Sequence, residues 1–160
     1  MARVSALGAV VRIGLIAATL DISENLIFNA FRHITPGMIF RYIASGLLGM
    51  AAIRGGAAMV ALGVAIHYMI ALAWTAVYFM VARPWRVLVR RPVVCGLLFG
   101  ALVYAVMNFV VLPLTRVPRT HAAMTMASRV SGVLALLFCI GLTVALLTAK
   151  EQGAGVGHRV

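Results

Sequence analysis

The segment AAMVALGVAIHYMIALAWTAVYFMVA, Ala57 to Ala82, decides the fold. It is apolar throughout except for His67, Thr75 and two tyrosines. A helix over this stretch, rising about 1.5 Å per residue, is long enough to cross a hydrocarbon core roughly 30 Å thick. It reads as a transmembrane helix. The segment that follows, Arg83-Pro84-Trp85-Arg86-Val87-Leu88-Val89-Arg90-Arg91-Pro92, is short and rich in arginine. Trp85 suits the headgroup layer, and a loop of this kind is retained on the cytoplasmic side.

Three further spans are expected on either side. One covers residues 93–114 and carries Gly96 and Gly100 four apart, a small-residue face that lets a second helix approach closely. Another covers 130–149, ahead of a glycine-rich tail over 151–160 that is expected to be flexible. The first covers 13–31 and is interrupted by Asp21, Glu24, Asn25 and Asn29. Its start resembles a signal peptide, but Arg12 breaks the apolar run and Leu26-Ile27-Phe28 resume it, so a retained helix is the better reading. Between the first two spans, Thr35 can cap a helix and Pro36 suits its first turn. A short interfacial helix over 36–47 is expected, with Met38, Ile39, Tyr42, Ile43 and Leu47 on one face and Arg41 and Ser45 on another. The backbone should loosen between Gly46 and Gly56. The expected fold is an all-α, integral membrane four-helix bundle with one additional interfacial helix, forming a single domain over 1–150.

Composition agrees. Of 160 residues, 64% are hydrophobic and 11% charged, against roughly 45–50% and 25% in a soluble domain. The mean hydropathy of +1.07 excludes a disordered chain. The net charge of +11 comes from 14 basic residues against 3 acidic ones. The arginines gather at the ends of apolar runs, where headgroups and the positive-inside rule account for them without a nucleic-acid partner. With the arginine loop inside, both termini are cytoplasmic, and eight basic residues lie inside against six outside. Cys95 and Cys139 sit within apolar runs and read as small core thiols.

Ionisable groups inside a span are costly and mark function by default. Measured from the middle of each span at about 1.5 Å per residue, Glu24 lies roughly 3 Å, His67 roughly 4 Å and Asn108 roughly 7 Å toward the outer side. Asn108 shares a helix face with Tyr104 and Gly100. Depth therefore permits a polar cluster of Asp21, Glu24, Asn25, His67, Tyr104 and Asn108. Asp21 and Glu24 share a face, with Arg12 a candidate neutraliser by snorkelling. His67 invites comparison with an axial ligand to haem or a pigment. In the second polar loop, His121, Met124 and Met126 offer soft ligands of the kind that bind Cu(I). No nucleophile–base pair, phosphate-binding glycine loop or metalloprotease helix is present in the sequence, so an enzyme is not expected.

Asp21-Ile22-Ser23, Ile43-Ala44-Ser45-Gly46-Leu47-Leu48-Gly49, Gly55-Gly56, His67 and Asn108-Phe109-Val110-Val111-Leu112-Pro113-Leu114 occur in this order. In these motifs the chain resembles a family of small, uncharacterised bacterial integral membrane proteins with four transmembrane helices. The resemblance covers the first three spans and implies a bacterial inner-membrane location. It differs from the family pattern at Glu24, where relatives carry an apolar or small residue. It differs again at Leu134-Ala135-Leu136-Leu137-Phe138, where relatives often carry a histidine.

Three roles follow as expectations. The first is a non-enzymatic accessory or structural subunit, partnered by other membrane proteins or by itself in the lipid bilayer and needing no cofactor. The second is a small proton or metal-ion transporter built on the Glu/His/Asn cluster. The third is a pigment- or haem-binding subunit through His67.

Overall fold

The computed structural model describes residues 5–118 and 126–154. Among the described residues every regular element is helical. Four helices are long and apolar enough to cross a membrane: Ala6–Ala30, Ala57–Ala82, Pro92–Leu114 and Met126–Gly153. They pack as an up-and-down bundle. The start of the first span, the end of the fourth and the arginine loop lie at one end, called proximal here, and the ends of the first and third spans lie at the other, distal end.

Helix α1 spans Ala6–Ala30 and so begins well before Ile13. The Ser5 hydroxyl accepts from the Gly8 amide at 3.1 Å and caps it. Arg12 does not interrupt the helix, because it lies on an exposed face and ion-pairs with Glu151. At the distal end the amides of His33 and Ile34 donate to the carbonyls of Ala30 and Asn29, both at 3.1 Å. This is a Schellman termination, with His33 in the left-handed position at φ 58° where glycine is usual.

Helix α2, Pro36–Leu48, starts at the expected proline, but Thr35 serves it through its carbonyl and not its side chain. The loosened stretch is also more ordered than expected. Gly46 stays inside α2, Gly49 turns the chain at φ 60°, and Met50–Arg54 forms helix α3 before Gly55 and Gly56 break it. Gly37 lies beside Val60, and a Cβ on Gly63 would run into the Phe40 backbone. Farther along, the Gly46 carbonyl accepts from the Arg116 amide at 2.9 Å. Thus α2 crosses the distal end of the bundle, from the start of α4 (Ala57–Ala82) to the end of the third span.

Helix α5, Val87–Arg90, sits within the arginine loop. The third span is α6 (Pro92–Val106), a π-helical segment π1 (Met107–Val111) and α7 (Leu112–Leu114). Pro113 cannot donate to the carbonyl four residues back, and the preceding turn widens so that the Leu112 amide reaches the Met107 carbonyl. The fourth span is α8 (Met126–Ala135), a second π segment π2 (Leu136–Leu142) and α9 (Thr143–Ala154). The helix therefore runs past residue 149 into the expected tail. Glu151 holds Arg12, and the Gln152 amide donates to the Phe79 carbonyl at 3.0 Å, which anchors this last turn against α1 and α4.

The tightest packing joins the third and fourth spans. Gly96 and Gly100 on α6 face Gly141 on π2, and a Cβ on Gly100 would meet Leu137 Cα at 2.6 Å. Small residues let the backbones touch here. The buried core comprises Ile13, Ala17, Ala18, Tyr78, Phe79, Phe99, Val103, Ile140, Val144 and their neighbours. This cluster lies between the proximal end and the middle of the bundle, while Ala44, Ser45 and Ala52 are fully buried where α2 and α3 cover the distal end. Large apolar side chains such as Leu98, Met69 and Phe109 are more than half exposed along the spans. A hydrocarbon solvent makes that exposure inexpensive, since no apolar surface is then presented to water.

Candidate functional site

Near the middle of the bundle, where the dense core stops, lies a half-open cavity of about 170 Å³. Its wall is built from all four spans and α2: Asp21, Ile43, His67, Ile70, Ala71, Trp74, Val103, Met107, Leu136 and Ile140. Two ionisable side chains, Asp21 and His67, are therefore set into an otherwise apolar chamber. Both π segments border it, through Met107 on one side and Leu136 and Ile140 on the other. Ile43 comes from α2, the helix laid across the distal end.

His67 is held by a hydrogen bond. Its Nε2 lies 2.9 Å from the Ala18 carbonyl oxygen. A carbonyl only accepts, so Nε2 carries the hydrogen and Nδ1 is the nitrogen left to exchange a proton. The ring also packs edge-on against Tyr68, with centroids 5.4 Å apart, and the Tyr68 hydroxyl meets Thr19 Oγ1 at 3.1 Å. These contacts bind α4 to α1 at the level of the cavity.

Asp21 shares the cavity wall with His67 and stands three residues before Glu24 on α1. Glu24 lies one turn farther toward the distal end and accepts a hydrogen bond from Ser131 Oγ at 2.6 Å on Oε1. Its other oxygen, Oε2, is buried and has no hydrogen-bond partner among the described residues. Beyond Glu24, Arg32 donates to Ser128 Oγ at 2.5 Å and stacks over Phe28. The contact between the first and fourth spans thus carries a polar seam of Arg32, Ser128, Glu24 and Ser131 on the distal side of Asp21.

The six residues grouped by depth separate into two kinds. Asp21 and His67 share the cavity wall, and Glu24 stands a turn away on α1, bonded to Ser131. Asn25 accepts from the Asn29 side chain within α1, at 2.9 Å on its carbonyl and 3.1 Å on Oδ1. Asn108 donates to the Tyr104 carbonyl at 2.9 Å within the third span. These amides therefore satisfy themselves on their own helices, and none of Asn25, Tyr104 and Asn108 lines the cavity. Arg12 does not neutralise the acidic pair, because it is engaged by Glu151 at the proximal end. His121 and Met124 lie outside the described residues, while Met126 opens α8 and is exposed. Among the described residues no group of three or more His, Cys, Asp or Glu is arranged to hold a metal ion. Axial ligation of haem by His67 fits poorly, since Nε2 is occupied and the chamber is small for a macrocycle.

Three contributors carried little signal in the sequence. Trp74 lies inside an unbroken apolar run, Ser131 is one hydroxyl at the start of a span, and Gly141 pairs with Ala145 four residues on, a weaker signal than two glycines at that spacing. Comparison with family models, with curated proteins and with solved structures gives no match to this chain.

Proposed function

We propose that this multi-pass membrane protein works through reversible protonation of the Asp21–His67 pair in its central cavity. The observation that carries this reading is that both groups line one apolar chamber. A proton needs a single lone pair, whereas a metal ion would need several oxygen or nitrogen donors to replace its water shell. A proton arriving along the polar seam meets Glu24 first, on its unpartnered Oε2, and then Asp21. Protonated Asp21 and neutral His67 interchange with carboxylate and imidazolium when the proton moves to Nδ1, and the pair holds one proton in either form. The dense core on the proximal side favours a site served from the distal end over an open channel. The role is non-enzymatic, and a bacterial inner-membrane location accompanies it through the family resemblance. The subunit role is compatible with it, and a partner co-purifying at fixed stoichiometry would add that role.

Infrared spectroscopy of the protein in lipid, recorded while pH is stepped, tests the proposal. The expected result is a titrating carboxyl C=O band that disappears in Asp21→Asn and whose midpoint moves in His67→Gln. A titrating band that survives Asp21→Asn unchanged, or its absence from the parent protein, would overturn it.

A further inference from the structure

The apolar character of the cavity is not required for a proton, and it points to a second occupant. We infer that the cavity is a binding site for a small apolar organic ammonium ion, of the size of a single ring carrying one aminomethyl group. An apolar cavity of about 150 Å³ accommodates benzene, and this one measures about 170 Å³. Ile70, Met107 and Ile140 supply the contact surface for a ring. Asp21 supplies the counter-charge, and Trp74 offers an aromatic ring to the cation. An inorganic cation would keep its water shell in such surroundings, and an anion would meet the Asp21 carboxylate. An ammonium ion with an apolar body suits both features of the wall.

This inference rests on the reading that Asp21 gives up its proton. One ammonium ion entering against protonated Asp21 forms the ammonium–carboxylate pair and releases one proton. The charge of the chamber is then unchanged, so occupancy adds no net charge to a low-dielectric interior. The proton and the ammonium ion compete for the same carboxylate.

The chain supplies its own reporter. Its two tryptophans are Trp74, in the cavity wall, and Trp85, exposed in the arginine loop. Trp85→Phe therefore leaves the cavity tryptophan alone. Titrating this variant in lipid nanodiscs with benzylamine should give a saturable change in Trp74 emission. Toluene, its neutral counterpart, should bind at least roughly tenfold more weakly, because it lacks the charge-assisted contact. Adding Asp21→Asn should remove the preference for benzylamine, and Asp21→Glu should keep it. Equal titration curves for benzylamine and toluene, or no saturable change with benzylamine, would overturn the inference even where the carboxyl band still titrates. If Asp21→Asn fails to fold, the benzylamine-to-toluene comparison in the Trp85→Phe protein decides alone. Loss of the titrating carboxyl band with Asp21-dependent benzylamine binding intact would instead remove proton competition and leave a plain ammonium site, overturning the exchange.

Discussion

His33 and Thr148 each hold a local cost that a single substitution can release. His33 has φ 58°, a conformation in which a Cβ crowds the following carbonyl at a cost of about 1–2 kcal/mol. Glycine avoids that crowding but gives back part of the gain through its freer unfolded chain. His33→Gly should therefore stabilise the protein by roughly 0.5–1 kcal/mol, read as a shift in its denaturation midpoint in detergent. Thr148 is fully buried and its hydroxyl has no partner among the described residues. Thr148→Val keeps the shape and removes the orphan group, so a gain of about 1 kcal/mol is expected in the same assay. A loss of that size would mean that the hydroxyl is satisfied. The acidic pair stands in contrast to both. Asp21 and Glu24 were conspicuous in the sequence because charge inside a span is rare, and the chamber wall includes Asp21. Neither His33 nor Thr148 could be singled out there, since left-handed backbone and missing partners exist only once the chain is folded.

Among the elements, the seam between α6 and π2 is the most constrained. A Cβ on Gly141 would collide with the Gly96 carbonyl and come within 2.8 Å of Gly100 Cα, and backbone atoms cannot swing aside as a side chain can. Gly141→Ala should cost about 1–3 kcal/mol by forcing the third and fourth spans apart. Gly132 on α8 supplies the comparison, because a Cβ there meets nothing within 4 Å. Gly132→Ala should stabilise by up to about 1 kcal/mol through helix propensity alone. Equal effects at the two positions, measured by unfolding in mixed micelles, would show that the close approach carries no weight. Gly96 and Gly100 were legible as a pair because their spacing places them on one face. Gly141 was not, since its partners lie on another helix and its direction depends on the widened turns of π2. The π segments themselves left one trace, Pro113, whose missing donor accounts for π1; nothing comparable in the sequence accounts for π2.

For the whole molecule, composition and run length were sufficient to give an all-α membrane bundle, because a hydrocarbon solvent permits little else to an isolated apolar chain. Depth was legible only to within a few turns, because α1 begins at Ala6 and His67 therefore meets Ala18 and shares the cavity with Asp21, with Glu24 a turn beyond. Rotation about each axis was not, and rotation is what separated Asp21, Glu24 and His67 from Asn25, Tyr104 and Asn108. It also produced the division of the bundle into a dense proximal half and a distal half that holds the cavity and the polar seam. That division predicts where water and small reagents reach. In a background with Cys95→Ala and Cys139→Ala, a cysteine at Ser131 borders the seam beside Glu24. A cysteine at Val144 lies in the fully buried proximal core. A small charged thiol reagent, applied to the folded protein in nanodiscs, should modify the first far faster than the second. Comparable labelling at both positions would mean that the proximal core is as open as the seam, and the protein would then have to be considered a through-channel with access from both ends.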